Sequence, residues 1–417
     1  MALIANQLVE IANKVHTIEQ QNAQFQQAYQ KLLNAYQGVF LQSAHILKKF
    51  EIIPNKIVFI SYDGKGYGCN PKYIAEEILR RNLPMDLVWL VDNMNYPMPE
   101  KIRKVLYNSL DATYELSTAQ VIVTNEMTKL LFEKKKDQYL IMTWHASWGL
   151  KHVNLDMGER VTPALVEAIK ASNAVTDLMI ADSDENYAEI RRSFDWKGDV
   201  IKCGMPRQDL FFKNSREIKD RVKKNLGIPP ERQDIKILLY VPTFRDVQPQ
   251  PIQTYQIDFQ KLLSVLTEKF GGQWGLLMRL HPILSTRGLS SQIFKPAPNI
   301  LDVTSYPDVQ ELLLVADVVL TDYSSAIYDT ILQNKVALIL AKDVEWYNKT
   351  RGLKSHFYNL PYKINHTEEE LFGYIKNLNV DKLKRDVKKY CGKIAPYSKG
   401  DASKKVVNKI CSVMKIK

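Results

Sequence analysis

Two of the seven histidines in this chain stand where open α/β sheets do their chemistry. His145 follows the apolar run 138–143 (QYLIMT), and His281 follows 275–280 (GLLMRL). Each lies just past the carboxyl end of an expected parallel strand, the edge along which such sheets hold ligands. His is the commonest acid/base side chain. A lone histidine is also a common structural residue, but Ala146 and Ser147 beside His145 leave room for a substrate. A third strand, 236–241 (KILLYV), opens into Thr243, Phe244 and Arg245. A guanidinium offers phosphate a planar fork of donors; the alternative for Arg245 is a plain surface ion pair with a nearby carboxylate. The stretch ADVVLTDYSSAIYD, 316–329, reads as strand, hydroxyl-rich turn and helix start. Ser324 and Ser325 there suit either a phosphate cradle at a helix N-terminus or an ordinary N-cap.

These residues need a scaffold of alternating strands and helices, and the chain supplies one twice. Strands are expected at 56–61, 86–91, 120–124, 138–143, 177–181 and 199–203, with helices at about 71–80, 99–108, 163–172 and 186–194. Glycines 64, 66 and 68 do not match a dinucleotide fingerprint and read as turn residues near a ligand cleft. A basic helix at 216–226 ends at Gly227, Ile228, Pro229 and Pro230. A second series then has strands at 236–241, 275–280, 299–303, 318–320 and 335–340, and helices at 259–270, 309–315, 368–378 and 403–414, with a loop through Arg351 and Gly352. Strand then helix, repeated, implies parallel sheets covered on both faces.

At 417 residues, 45% apolar and 25% charged, the chain suits two globular domains. The four cysteines form no C-x-x-C pair, which argues against a zinc site or a secreted disulfide framework and fits a reducing cytoplasm. No signal peptide or spanning helix is visible. Much of the net charge of +11 lies in the tail, where residues 381–417 carry 12 Lys or Arg against three Asp. Such a run is either a solvated helix face or a contact for anionic lipid or a phosphate-rich polymer; no nucleic-acid motif is present. Before residue 50, Ile4, Ile11, Ile18, Phe25, Leu32 and Val39 recur every seven residues, a heptad seam with Asn22 in its second series. It either pairs with another chain, giving a homo-oligomer, or packs on the chain's own body.

The motifs NPKYIAEEIL, VWLVD, TWHASWGLK, CGMPRQD, VPTFRD, LHP, TDYSSAIYD and GDASKKVV, in that order from Asn70 to Val407, resemble the bacterial CDP-glycerol glycerophosphotransferases of teichoic-acid and capsule synthesis. LTDYSS following LHP and PTFRD is the specific part. The resemblance implies two Rossmann-like domains in a glycosyltransferase-B-like (GT-B) arrangement with an interdomain active site. The resulting division is an N-terminal heptad helix (1–49), an acceptor domain (50–226), a CDP-donor domain (227–390) and a basic C-terminal helix (391–417). It further implies transfer of a polyol phosphate from a CDP-activated donor to a hydroxyl of a lipid-linked or glycan acceptor, releasing CMP. The enzyme would use no cofactor or metal and would work peripherally at the inner face of the bacterial cell membrane. His145 would be the base on the acceptor hydroxyl and His281 a donor-phosphate contact. Thr243, Arg245, Ser324 and Ser325 would bind the donor diphosphate, and Lys151, Arg207, Arg279 and Asp322 complete the substrate-binding set.

Two stretches depart from the family pattern. Where the family commonly has His-Gly-Thr-Pro-Leu-Lys, this chain has His145-Ala146-Ser147-Trp148-Gly149-Leu150-Lys151, one residue longer, which leaves the acceptor open. After Gly352 it has Lys354, Ser355 and His356 in place of acidic residues, which leaves the donor open between CDP-glycerol and CDP-ribitol. A nucleotide-sugar glycosyltransferase of the same fold is the other reading.

Overall fold

In the computed structural model the described residues are 45–127, 132–147, 149–213, 215–245, 251–281, 284, 288–295 and 297–416. The heptad seam up to residue 44 and Trp148 lie outside them. Each half of the chain builds one wholly parallel sheet. The first runs β1 (Lys56–Ile60), β2 (Asp86–Val91), β3 (Ile102–Leu106), β4 (Val121–Thr124), β5 (Tyr139–Met142), β6 (Leu178–Ala181) and β7 (Asp199–Lys202). Its spatial order is β3-β2-β1-β4-β5-β6-β7. The second holds β8 (Lys236–Val241), β9 (Trp274–Met278), β10 (Ile300–Asp302), β11 (Val318–Thr321), β12 (Val336–Leu340) and β13 (Ile364–Asn365), in the order β10-β9-β8-β11-β12-β13.

Both orders reverse direction between the first and fourth strands, at β1/β4 and at β8/β11. Helices on both faces bury the central strands, which is why β1 is apolar at four of five positions and its single charge, Lys56, is buried against Glu115 at 2.6 Å.

Residues 99–108 are not the expected helix. They form β3, an edge strand in parallel register with β2 from Leu87↔Ile102 to Val91↔Leu106. Arg103 on that edge takes Asp86 and Glu115 as partners, a polar half-face that resembled helical spacing. The helix follows instead at Leu110–Thr118, where the Ser109 Oγ accepts the Ala112 N–H at 3.0 Å. Helices at Val344–Arg351 and Val380–Ile394 were likewise not expected from sequence.

The C-terminal helices divide between the sheets. Val380–Ile394 packs Leu383 and Val387 into the second core, whereas Ala402–Met414 returns to the first, burying Val406, Val407 and Ile410 with Ile74 and Ile78. Asp209 in the first half fixes that return by accepting the N–H groups of Ala402 at 3.0 Å and Ser403 at 2.7 Å.

The two halves dock through buried polar groups. Lys72 donates to Asp308 at 2.7 Å and to Glu311 at 2.9 Å, and the Tyr73 hydroxyl donates to Asp308 at 2.7 Å. Burial works against the Lys72 charge, but Asp308, Glu76 and Glu311 more than offset it and raise its pKa. A Cβ at Gly68 would stand 2.8 Å from the Pro307 carbonyl oxygen, so only glycine lets the halves approach there. Residues 150–152 pair with 352–354 across the boundary, and Lys354 forms a buried ion pair with Glu189. The residues after Gly352 thus face a carboxylate supplied by the other domain, which accounts for a lysine at that place.

Removing one partner of a buried ion pair strands the other charge. Lys72→Met is therefore expected to destabilise the chain by about 3 kcal/mol. Urea denaturation measures this, and a loss below about 1 kcal/mol, the scale of an exposed pair, would show that the docking contact is solvated.

Candidate active site

The carboxyl ends of the two sheets converge where the halves dock. Tyr62 and Asn125 follow β1 and β4, at the first sheet's point of reversal; Thr243 and the turn 322–325 follow β8 and β11, at the second's.

His145 sits two residues beyond Thr143 at the end of β5. Its Nδ1 lies 3.1 Å from the Asn125 carbonyl oxygen. A carbonyl only accepts, so Nδ1 carries the proton and Nε2 keeps its lone pair. The ring is recessed between Trp144, at 4.3 Å between centroids, and Tyr62, at 5.6 Å. Burial pushes the imidazole pKa down to about 4; the Asn125 bond opposes this, while Arg207 and Lys151 add to it. The result is an imidazole that is neutral at pH 7 and keeps a lone pair on Nε2.

Two guanidinium groups come to the same place from opposite halves. Arg207 is 2% exposed; its Nε reaches Asp329 of the second domain at 3.4 Å and one Nη reaches the Ser147 Oγ at 3.3 Å. Its other Nη is buried without a hydrogen-bond partner. Burial opposes the Arg207 charge, but Asp329, Cys69, Tyr62 and Asp182 hold it in place. Among the described residues Arg279 donates to carbonyl oxygens, those of Val303 at 3.3 Å and of Tyr306. Burial lowers its pKa, with Tyr62, Asp308 and Tyr306 pulling the other way. Among the described residues no carboxylate bonds to it directly, and such a cation favours an incoming anion.

Of the remaining expected residues, Ser324 and Ser325 are half-buried at the turn; the Ser324 Oγ accepts the Ala326 N–H at 3.3 Å, and the Ser325 side chain caps nothing. His281 is exposed at the end of β9, stacked on Phe244 with 4.7 Å between ring centroids. Lys151 lies on the interdomain bridge to Leu353.

Arg245 and Asp322 are placed differently. Arg245 is no surface pair: it is 2% exposed, bonded through Nε and Nη2 to Asp343, both at 2.8 Å, and through Nη1 to Asp322 at 2.7 Å. Tyr323 and Tyr347 each stand 5.0 Å from its guanidinium. Asp322 also accepts the Thr243 and Tyr323 N–H groups at 2.8 and 2.6 Å. The two residues therefore shape the turn from within. Thr243 joins them through its amide, while its buried hydroxyl has no partner. Asn125, Tyr62, Asn70 and Asp329 are not among the residues expected from sequence. Only Asn125, at a strand end, and Asn70 and Asp329, inside motifs, had any signal.

His145 is expected to remain neutral down to about pH 4 in an NMR titration of labelled imidazole. Its pKa is lowered on folding from 6.5, so the unfolded chain binds the extra proton first. This group's contribution to stability is thus fully present above about pH 6.5 and is lost as pH falls toward 4. His145→Asn should flatten that part of the stability–pH curve. A native pKa near 6.5 would contradict the burial described above.

The model of the CDP-glycerol:poly(glycerophosphate) glycerophosphotransferase family matches residues 41–412. The teichoic acid poly(glycerol phosphate) polymerase of Staphylococcus epidermidis is 29% identical over 412 residues, covering 92% of this chain and 55% of that one. The protein of the same description from Bacillus spizizenii is 26% identical, covering 92% of this chain and 98% of that one. This chain therefore spans little more than half of the first relative and nearly all of the second. A solved structure of the wall teichoic acid polymerase TagF superposes with a TM-score of 0.78 at 25% identity, covering 94% of this chain and 98% of that one. On its sequence match and its two-domain α/β architecture, the chain belongs to the CDP-glycerol:poly(glycerophosphate) glycerophosphotransferase family.

Proposed function

We propose that this chain transfers glycerol phosphate from CDP-glycerol to the terminal hydroxyl of a polyol-phosphate or lipid-linked acceptor in teichoic-acid synthesis. The observation that carries the reading is a neutral imidazole, Nε2 unprotonated, together with two guanidinium groups, Arg207 with one buried Nη that has no partner and Arg279 donating to backbone carbonyls. Family membership supplies the substrate class. The related polymerase TagF has also been solved as a histidine-to-asparagine variant soaked with CDPG.

In this reading the acceptor O–H gives its proton to His145 Nε2 as its oxygen attacks the β-phosphorus. The new O–P bond forms while the bond to CMP breaks, and CMP leaves with the electron pair. Charge spreads over the non-bridging oxygens of the phosphoryl group in flight, and such transfers depend on positioning and electrostatic compensation. Arg207 and Arg279 supply that compensation. His281, Ser324, Ser325 and the Thr243 hydroxyl hold the rest of the donor. Arg245 and Asp322 keep the serine turn in shape. No resident cofactor is invoked, so a chelator should leave turnover unchanged.

The exposed side of Val380–Ile394 carries Lys382, Lys384, Arg385, Lys388, Lys389 and Lys393 against Asp381 and Asp386. Among the described residues no helix is long and apolar enough to cross a membrane. We assign this face to an anionic lipid surface, consistent with a lipid-linked acceptor.

CMP release measured over CDP-glycerol, CDP-ribitol and UDP-sugars with polyol-phosphate acceptors tests the reaction. CDP-glycerol should lead; a preference for a UDP-sugar would overturn the reading. His281→Ala and Arg279→Gln should each lower kcat/KM by about 100-fold, on the scale of a lost transition-state donor. Full turnover in both would remove the second domain from the chemistry. Binding to anionic vesicles should weaken between 0.05 and 0.5 M salt, a range chosen to shorten the Debye length severalfold; equal binding to neutral vesicles would count against the basic face.

A further inference from the structure

Asn70 has no exposed surface and touches none of the groups proposed to meet substrate, yet it joins two of the segments that carry them. It lies in the first turn of the helix Cys69–Arg80. Its Nδ2 donates to the Trp144 carbonyl at 2.8 Å, with the Thr143 carbonyl at 3.5 Å, and its Oδ1 accepts the Arg207 N–H at 3.1 Å. Neither end of the amide can be exchanged. A carbonyl cannot donate and a backbone N–H cannot accept, so the side chain must present a donor to one segment and an acceptor to the other.

What Asn70 holds at Trp144 is a costly conformation. Trp144 has φ +55, the left-handed region that bulky side chains avoid. Its indole is driven inward onto Phe194, with ring centroids 4.9 Å apart, and the left-handed turn sends the following residue, His145, to the Asn125 carbonyl and the cleft. A strained backbone persists only where its surroundings over-determine it. Here the surroundings are the indole pocket on one side and the Asn70 amide on the other.

We infer that Asn70 is a positioning residue for the transfer, fixing the Trp144 turn and the Arg207 backbone so that His145 Nε2 and the Arg207 guanidinium keep a constant separation across the reacting hydroxyl and phosphate. The inference rests on the reaction proposed above. Asn70 takes no proton and forms no bond to phosphorus; the acceptor's proton still passes to His145 and the electron pair to CMP. A buried asparagine that only filled the core would affect stability without altering the imidazole.

Asn70→Asp keeps the acceptor for Arg207 and turns an oxygen against the Trp144 carbonyl. Asn70→Ser can satisfy only one of the two ends and serves if the first variant fails to fold. The full chain, with labelled histidine, is examined by NMR and by CMP release. In folded Asn70→Ser, which adds no charge, the His145 pKa should move up from about 4 toward its ordinary 6.5 as the ring loosens into solvent, whereas the new carboxylate of Asn70→Asp would raise it by itself. kcat should fall about 100-fold, the scale of an ångström-sized misplacement, with the donor KM changed less than about threefold. The inference is overturned if His145 keeps its titration and kcat stays within about threefold. It is equally overturned if kcat, KM and thermal stability fall together while the imidazole spectrum is unchanged. If wild-type protein releases no CMP from any CDP-alcohol, the reaction proposal fails, and the His145 titration alone then decides whether Asn70 positions the ring.

Discussion

An imidazole can act as a base only at a nitrogen that is unprotonated and aimed, and in His145 one hydrogen bond selects and aims that nitrogen while burial keeps the ring neutral. The Asn125 carbonyl accepts the Nδ1–H of His145 and leaves Nε2 as the acceptor. The same residue accepts the Tyr62 N–H on its side-chain oxygen at 2.9 Å, so the ends of β1 and β4 and the ring of His145 are tied at one point. That point is where the first sheet reverses its strand order, the place parallel sheets leave open for a ligand. Burial then keeps the imidazole neutral down to about pH 4. A protonated imidazole would add a positive charge near Arg207, whose own charge already helps to lower the His145 pKa.

Docking of the two halves buries the polar groups that join them. Lys72, Tyr73, Arg207 and Lys354 each reach across to a carboxylate of the other half, and all are shielded from water. Asp329 takes the Nε side of Arg207 and also accepts from Gln208 at 2.7 Å, leaving the far Nη of the guanidinium unspent. In the second half Arg245 is the internal counterpart. Two aspartates and stacked tyrosines hold it, and through Asp322 it sets the backbone from Thr243 to Tyr323 on which Ser324 and Ser325 stand. One arginine thus keeps a buried Nη without a hydrogen-bond partner, while another is used up in shaping the turn.

The sequence made the scaffold legible because its signals are local and repeated. The buried strand KILLYV, the helix Phe259–Phe270 and the helix Val309–Val315 are visible from apolar content and period alone. Edge strand β3 was not, since only one side of it is paired and Arg103 and Lys104 give it a helix-like polar face. His145 and Arg207 could be picked out by type and by place in a motif. What Arg245 does could not, because the same residue type after the same kind of strand can face a ligand or turn inward, and the deciding partner, Asp343, lies 98 residues away. Asn70 was hidden for the same reason: its partners are 74 and 137 residues distant, and no local pattern marks an amide that must donate to one and accept from the other.

The account stands on His145 as the base that opens transfer from a CDP-activated alcohol. Its most direct test is a single-turnover measurement of CMP release by wild type and His145→Asn at saturating CDP-glycerol, with donor affinity measured on the same preparations. The account predicts a rate lower by about 10²- to 10⁴-fold in the variant, the range for loss of a general base, with donor binding unchanged. A variant that releases CMP within a few-fold of the wild-type rate would contradict it.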